Sequence, residues 1–296
     1  MRTSQKSKIT SEEKTAALFL LVPVVLLILF MILPVIIAVG MSFTDYDVIN
    51  PPKWVGLSNF KKMWKDEIFR VCLKNTVMYT ALYVPLGLLA ALGSALFLNG
   101  RHKAAAIFRT FYYIPVLSST VATSTLWFWV LNPRLGLLNQ SLRIFGIQGP
   151  AWLYNSKTAM ISIVLMSVWA GFGSNMMIFL AGLKGIPRER YESAKIDGAG
   201  RLQSFLYITL PSLQKTTFLV STLLLISAFQ VFDQAFVLTR GGPGNATITV
   251  VYYIYNMGFK NLKVGYASSI SLILFLMIGS MTFLNSKWSR EEGEIK

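Results

Sequence analysis

The chain has 296 residues, 54% of them hydrophobic and only 14% charged, with a mean hydropathy of +0.54. A water-soluble domain of this length needs far more charge to cover its surface, so the composition predicts an all-α integral membrane protein. The net charge of +15 is spread over short segments beside apolar runs, a pattern that suits membrane lipid headgroups and argues for no nucleic acid partner.

Residues 1–15 carry Arg2, Lys6, Lys8 and Lys14 and read as a cytoplasmic tail. A secretory leader is the competing reading. The run 16–40 is uncharged throughout, too long for a leader's apolar core and long enough to span a bilayer. Pro23 and Pro34 are expected to kink that helix. In 45–74, Trp54, Phe60, Trp64 and Phe69 alternate with lysines, as in a helix lying on the bilayer surface. Spans are predicted at 75–98 and 110–131 around a basic turn with Arg101, Lys103 and Arg109, then at 158–183 after a loop at 133–157. A polar stretch, 188–211, separates these from a span at 216–239 that is interrupted only by Asp233. A Gly/Pro-rich loop, 240–263, and a last span, 264–286, complete the chain. The reading is therefore one membrane domain, 16–286, of six helices with a polar loop at 184–215, flanked by tails at 1–15 and 287–296. Sixteen of the 28 lysines and arginines fall on the side of the tails, which places both termini in the cytoplasm. One cysteine, Cys72, and one histidine, His102, leave no material for an intramolecular disulfide or a Cys/His metal centre.

The stretch 188–211 carries a spaced pattern: Glu192, Ser193 and Ala194, then Gly198 after three residues, then Ile208, Leu210 and Pro211 after nine more. Pro187 can open a helix, because its missing amide proton has no partner there anyway. Gly198 and Gly200 permit a sharp break between two short helices, and Pro211 ends the second. Small side chains at 193 and 194 let another protein's surface approach closely. This pattern resembles the EAA loop of permease subunits of binding-protein-dependent ABC importers, in particular the maltose-type sugar permeases. Ser193 stands where alanine is usual. The stretches IPRERYESAKIDGAG, LTRGGPGNAT and NFKKMW resemble the sugar branch as well.

The resemblance implies a type I importer permease with six transmembrane helices and a cytoplasmic coupling loop, in a bacterial plasma membrane. It implies that Glu192, Ser193, Ala194, Asp197, Gly198, Ile208, Leu210 and Pro211 couple to the motor. It also implies the partners: two ATP-binding subunits, a second homologous permease subunit and an extracellular solute-binding protein. The chain itself contains no G-x-x-x-x-G-K-[ST] run, so ATP and magnesium are expected on the partner ATPase subunits and no cofactor on this chain.

Two faces are candidates for the solute path. In the fourth span, Trp169, Phe172, Asn175, Met176 and Phe179 fall within an arc of about 120°. Aromatic faces beside an amide suit a sugar; helix–helix packing, with Asn175 as a bridge between helices, is the alternative. In the fifth span, Ser227, Gln230, Asp233 and Gln234 form a polar stripe, with Phe229, Phe232 and Phe236 opposite. A polar stripe in a membrane helix is expected to face a cavity or a partner. Asp233 could equally sit near the headgroups and cap the following loop. The expected function is import of a carbohydrate, an oligosaccharide first and glycerol 3-phosphate second, with no catalytic residue. An ion-coupled secondary transporter relying on Asp233 is the remaining alternative.

Overall fold

A computed structural model describes residues 11–100 and 105–294. Arg101, His102 and Lys103 of the predicted basic turn, and the outer parts of both tails, lie outside the described residues. Helices α1 (Ser11–Leu27) and α2 (Leu33–Met41) are joined through a π-helical turn at Ile28–Ile32. Pro34 cannot donate to the carbonyl one turn back, and the wider turn beside it absorbs that mismatch, so the helix continues through both prolines. None of the apolar window of Leu18–Met41 is buried within this chain.

A ribbon of two antiparallel strands, β1 (Thr44–Asp45) and β2 (Lys53–Trp54), comes next. Then come α3 (Ser58–Lys65) and α4 (Glu67–Leu98). The second span thus begins at Glu67, not at residue 75. Asp66 caps α4 by accepting from the amides of Ile68 (2.9 Å) and Phe69 (3.2 Å). Arg70 and Lys74 sit exposed on its first turns, where long stems carry charged heads back toward water. Of the four aromatics expected on the bilayer surface, Trp54 and Trp64 are exposed, whereas Phe60 and Phe69 turn into the core.

The third predicted span is two helices, α5 (Ala105–Leu117) and α6 (Thr120–Val130), broken at Ser118 and Ser119 behind Pro115. After α7 (Leu137–Ile144), α8 (Ser156–Lys184) crosses the whole bundle, capped by the Asn155 side chain. Short helices α9 (Arg188–Ile196), α10 (Arg201–Ser204) and α11 (Leu210–Ser212), with a π-helical turn at Phe205–Thr209, lead to α12 (Gln214–Phe229). The fifth predicted span also breaks: α12 ends at Phe229, and α13 (Asp233–Leu238) is a separate short helix. The predicted Gly/Pro-rich loop contains α14 (Val250–Tyr255) and a π-helical turn at Asn256–Lys260, before α15 (Val264–Glu294). Among the described residues, four helices are long and apolar enough to cross a membrane. A fifth arises if Arg201–Ser212 and Gln214–Phe229, which meet at 65°, form one broken span.

The centre of the bundle is α4 packed along α8, with α12 against both. Lipid is as apolar as leucine, so helix association here depends on close approach of backbones. Gly87, Ala91 and Ala95 give α4 a stripe of small residues one turn apart, and a Cβ added at Gly87 would meet Leu224 of α12 at 3.1 Å. Gly173 of α8 lies so close to α5 that an added Cβ would stand 2.1 Å from the Tyr112 carbonyl oxygen.

The end of the bundle away from α9–α11 is tied by hydrogen bonds of very long sequence separation. The Asp66 carboxylate accepts from the hydroxyls of Tyr253 (2.6 Å) and Tyr266 (2.7 Å). The Asn75 amide donates to the carbonyls of Asn245 (2.8 Å) and Ile248 (2.9 Å), and the Val250 amide donates to Thr76 Oγ1 (3.0 Å). Burial pushes the Asp66 carboxyl up, but the two phenols and two amides outweigh it and hold it below the usual carboxylate value.

Candidate functional site: an elbow and a cavity at two helix breaks

The elbow is built on α9. Asp197 ends the helix, and Gly198 adopts φ +78°, a left-handed backbone that favours glycine. The Ala199 amide donates to the Ala194 carbonyl (2.8 Å) and the Gly198 amide to the Lys195 carbonyl (3.2 Å). This paired closure satisfies carbonyls that the helix end would otherwise leave open. The turn into α10 is fixed by the Gln203 side chain, which accepts from the Gly200 amide (2.8 Å).

Two side-chain bonds tie α9 to the residues that lead into α12. Tyr191 Oη pairs with Thr209 Oγ1 (2.9 Å), and Arg190 Nη1 donates to Ser212 Oγ (3.2 Å). Beneath them Leu183, Ile186 and Leu213 are buried, and Ile208 packs on the same core. Glu192, Ser193, Asp197, Gly198 and Leu210 are exposed, while Ala194 and Pro211 are half-buried. The elbow is therefore anchored on one side and open on the other. The open side shows Ile196 (86% exposed), Leu202 (70%) and Tyr207 (78%).

The cavity lies where the two broken spans meet. It has a volume of about 350 Å³ and is lined by Ser227, Gln230, Phe232, Asp233 and Gln234, with Leu223, Ile226, Val231 and Thr120 completing it. The polar stripe expected on the fifth span is thus gathered on one cavity. Phe232, expected on the opposite side, joins it because the break at 230–232 resets the helical phase. Thr120 is the first residue of α6, so both breaks open on the same space. A break in a membrane helix frees backbone groups, and these are tolerated where they line a cavity or find a partner. Here the Val231 carbonyl accepts from Thr249 Oγ1 (2.8 Å), a side chain at the start of α14. Asp233 opens α13, where a negative charge suits the positive end of the helix.

Residues 83–290 match the family of binding-protein-dependent transport system inner membrane components. This chain belongs to that family. It is a transport permease and not an enzyme. Among relatives, it is 38% identical to the probable ABC transporter permease protein YesP of Bacillus subtilis, over 88% of this chain and 85% of that one. It is 33% identical to the arabinooligosaccharides transport system permease protein AraP of the same organism, over 94% and 89%. It is 32% identical to the lactose transport system permease protein LacF of Rhizobium radiobacter, over 93% of each. The fold is that of a type I importer permease: it superposes with a TM-score of 0.83 and 22% identity on a chain of a bacterial ABC transporter involved in alginate import, covering 95% and 96% of the two.

The permease places the fourth-span set differently from the fifth. Met176 and Phe179 are fully buried in the bundle (0% exposed each), and Asn175 donates to the Gly171 carbonyl of its own helix (3.2 Å) instead of bridging helices. Phe172 meets Tyr112 edge-on at 5.3 Å and Trp169 meets Trp127 at 5.6 Å. Trp169 alone of the five is strongly exposed, at 40%. None of the five lines the 350 Å³ cavity. Sequence reasoning misses the lining residues Thr120, Leu223, Ile226, Val231 and Phe232. Helical phase carried straight through 216–239 hides Phe232, and Thr120 sits in a run of small residues that reads as packing.

Proposed function

We propose that this permease is the membrane subunit of an ATP-driven importer that takes up a carbohydrate, an oligosaccharide by preference. The supporting observation is the elbow: a braced helix–turn–helix whose free side exposes three large apolar residues from an otherwise polar loop, a surface that needs a partner. That partner is a separate ATPase subunit holding ATP and magnesium, one for this permease and one for a second, homologous permease. Glu192, Ser193, Ala194, Asp197 and Gly198 meet it. Ile208, Leu210 and Pro211 pass its motion through α11 into α12. ATP-driven closure of the motor turns α12 against α8, and the cavity at the end of α12 opens alternately to each side. An extracellular solute-binding protein delivers the sugar.

In this reading six crossings are made by α1–α2, α4, α5–α6, α8, α12–α13 and α15, with both termini and the elbow in the cytoplasm. The cavity offers the amides of Gln230 and Gln234, the Asp233 carboxylate and the Phe232 ring, groups that suit hydroxyls and a sugar's C–H face. The arabinooligosaccharide and lactose permeases among the relatives favour the same class. Trp169, Phe172, Asn175, Met176 and Phe179 enter the path only if α8 rotates during transport. Glycerol 3-phosphate suits the cavity less well, since its lining includes an acid and no cation.

The test is Gly198→Asp beside Gly198→Asn, both in the assembled importer. Asparagine tolerates the left-handed backbone, and nothing lies within 4 Å of an added Cβ. Aspartate is expected to release the ATPase subunits and abolish uptake, while asparagine retains both. Uptake in liposomes without any ATPase subunit would overturn the reading in favour of an ion-coupled carrier.

A further inference from the structure

We propose that the cleft between α6 and α12–α13 holds two sugar subsites in series, and that the second selects a sugar unit bearing a carboxylate through Arg240. The proposal rests on the carbohydrate reading above.

A second cavity, of about 420 Å³, lies beyond the first, farther from the elbow along the same two walls. Helix α6 gives Thr120 to the first cavity and Thr125 and Phe128 to the second. Helix α13 gives Asp233 and Gln234 to the first and Val237 and Leu238 to the second. From Thr120 to Phe128 the rise along α6 is about 12 Å. That is the reach of a disaccharide, not of one ring, so two linked sugar units match the separation of the two spaces.

The two cavities differ in charge. The first contains the Asp233 carboxylate and no cation, so it suits a neutral, hydroxyl-rich unit and repels an anionic one. The second contains Arg240 and no acid. Among the described residues no carboxylate pairs with the Arg240 guanidinium, and the residue is exposed. Its backbone is fixed in a left-handed turn (φ +51°) by its neighbours. The Gly242 amide donates to the Thr239 carbonyl (2.9 Å), the Thr247 amide to the Gly241 carbonyl (3.2 Å), and Thr247 Oγ1 to the Gly242 carbonyl (2.8 Å). A planar guanidinium on a braced turn is suited to grip a carboxylate through two parallel hydrogen bonds. Phe128 and Tyr154 provide ring faces on which a pyranose can stack. A small phosphate ester such as glycerol 3-phosphate could satisfy the arginine but has no ring for these aromatics. The ligand class is therefore an oligosaccharide whose one end is a uronic acid and whose next unit is neutral.

The experiment measures equilibrium binding to the complete importer in nanodiscs, without binding protein. The probes are a radiolabelled uronate-terminated disaccharide, the same disaccharide with its carboxylate reduced to a hydroxymethyl group, glycerol 3-phosphate and lactose. The wild type is expected to bind the uronate form at least tenfold more tightly than the reduced form. Arg240→Gln is expected to erase that preference while changing affinity for the reduced form by less than twofold. Arg240→Lys, which keeps the charge on the same backbone, is expected to retain part of it. Phe128→Leu is expected to weaken both disaccharides. Equal wild-type binding of the two disaccharides overturns the proposal. So does an Arg240→Gln effect of equal size on both, or glycerol 3-phosphate binding as tight as the uronate. If the wild type binds lactose or the reduced disaccharide but not the uronate, this inference alone fails. If it binds no sugar here but the importer supplied with its binding protein takes one up, this inference alone fails; if no sugar is taken up even then, the carbohydrate reading itself falls.

Discussion

Asp66 and Gly198 show how much a single position can hold. The Asp66 carboxylate caps α4 and joins α14 and α15 to it through two phenols. Replacing it with alanine removes a helix cap, worth about 1 kcal/mol, and strands the hydroxyls of two buried tyrosines, each a further cost of roughly 1–3 kcal/mol. Asp66→Ala is therefore expected to lower the thermal midpoint and to speed amide exchange in α14 while α9 is unchanged. Because the folded carboxyl lies below its ordinary value of 3.8, its contribution is fully present above that value. It is lost as pH falls through the lower folded value, so the protection of α14 amides, after correction for the intrinsic pH dependence of exchange, should be flat from neutral pH down to about 4 and fall only below it. Gly198 works by conformation instead of contact. With open space around its missing Cβ, Gly198→Ala carries only the backbone penalty of about 1–2 kcal/mol, which should loosen the turn measurably without blocking a partner's approach.

Elements in this chain are governed by how near two backbones come. A methyl at Gly173 would stand inside contact distance of the Tyr112 carbonyl oxygen, so Gly173→Ala should force α5 away from α8. The expected cost is about 1–3 kcal/mol, seen as a lower thermal midpoint. The same geometry explains what hydropathy could and could not reveal. Apolar length is a property of composition, so α4, α8, α15 and the first helix are readable from it. The breaks at Ser118–Ser119 and 230–232 are not, because serine, valine and phenylalanine all sit comfortably in apolar helices. What breaks α12 is a partner for the freed carbonyl of Val231, supplied by Thr249 from a distant part of the chain. Likewise α4 starts early because Asp66 caps it, although Arg70 and Lys74 make that stretch look aqueous. Helix α14 is hidden by the glycines and proline that precede it. The elbow is the most legible part, since its turn depends on local residues alone: Gly198 in the left-handed region, closed by its own amide and that of Ala199.

At the scale of the molecule, the elbow and the α3 end of the bundle lie at opposite ends of the long helices. With six crossings, a membrane-impermeant maleimide should label Ile49→Cys in intact cells and Ser193→Cys only after the membrane is opened. The native Cys72 is fully buried and should stay silent in both. Labelling of Ser193→Cys in intact cells would invert the topology and remove the motor from reach. The first helix has no buried apolar window in its own chain, so its surface is left to lipid or to another chain.

The bond from Thr249 to Val231 gives the segment that begins α14 a grip on the cavity wall. Anything that lifts α14 must either drag Val231 along or leave a bare carbonyl in an apolar surrounding, which is costly. The wall of the cavity is thus latched to a helix that is itself packed into the bundle, with Val250, Tyr252 and Tyr253 buried. Thr249→Val, close in shape but without the hydroxyl, should leave the chain folded, with an unchanged thermal midpoint to within a few degrees, yet speed amide exchange around 230–232 as the break comes loose.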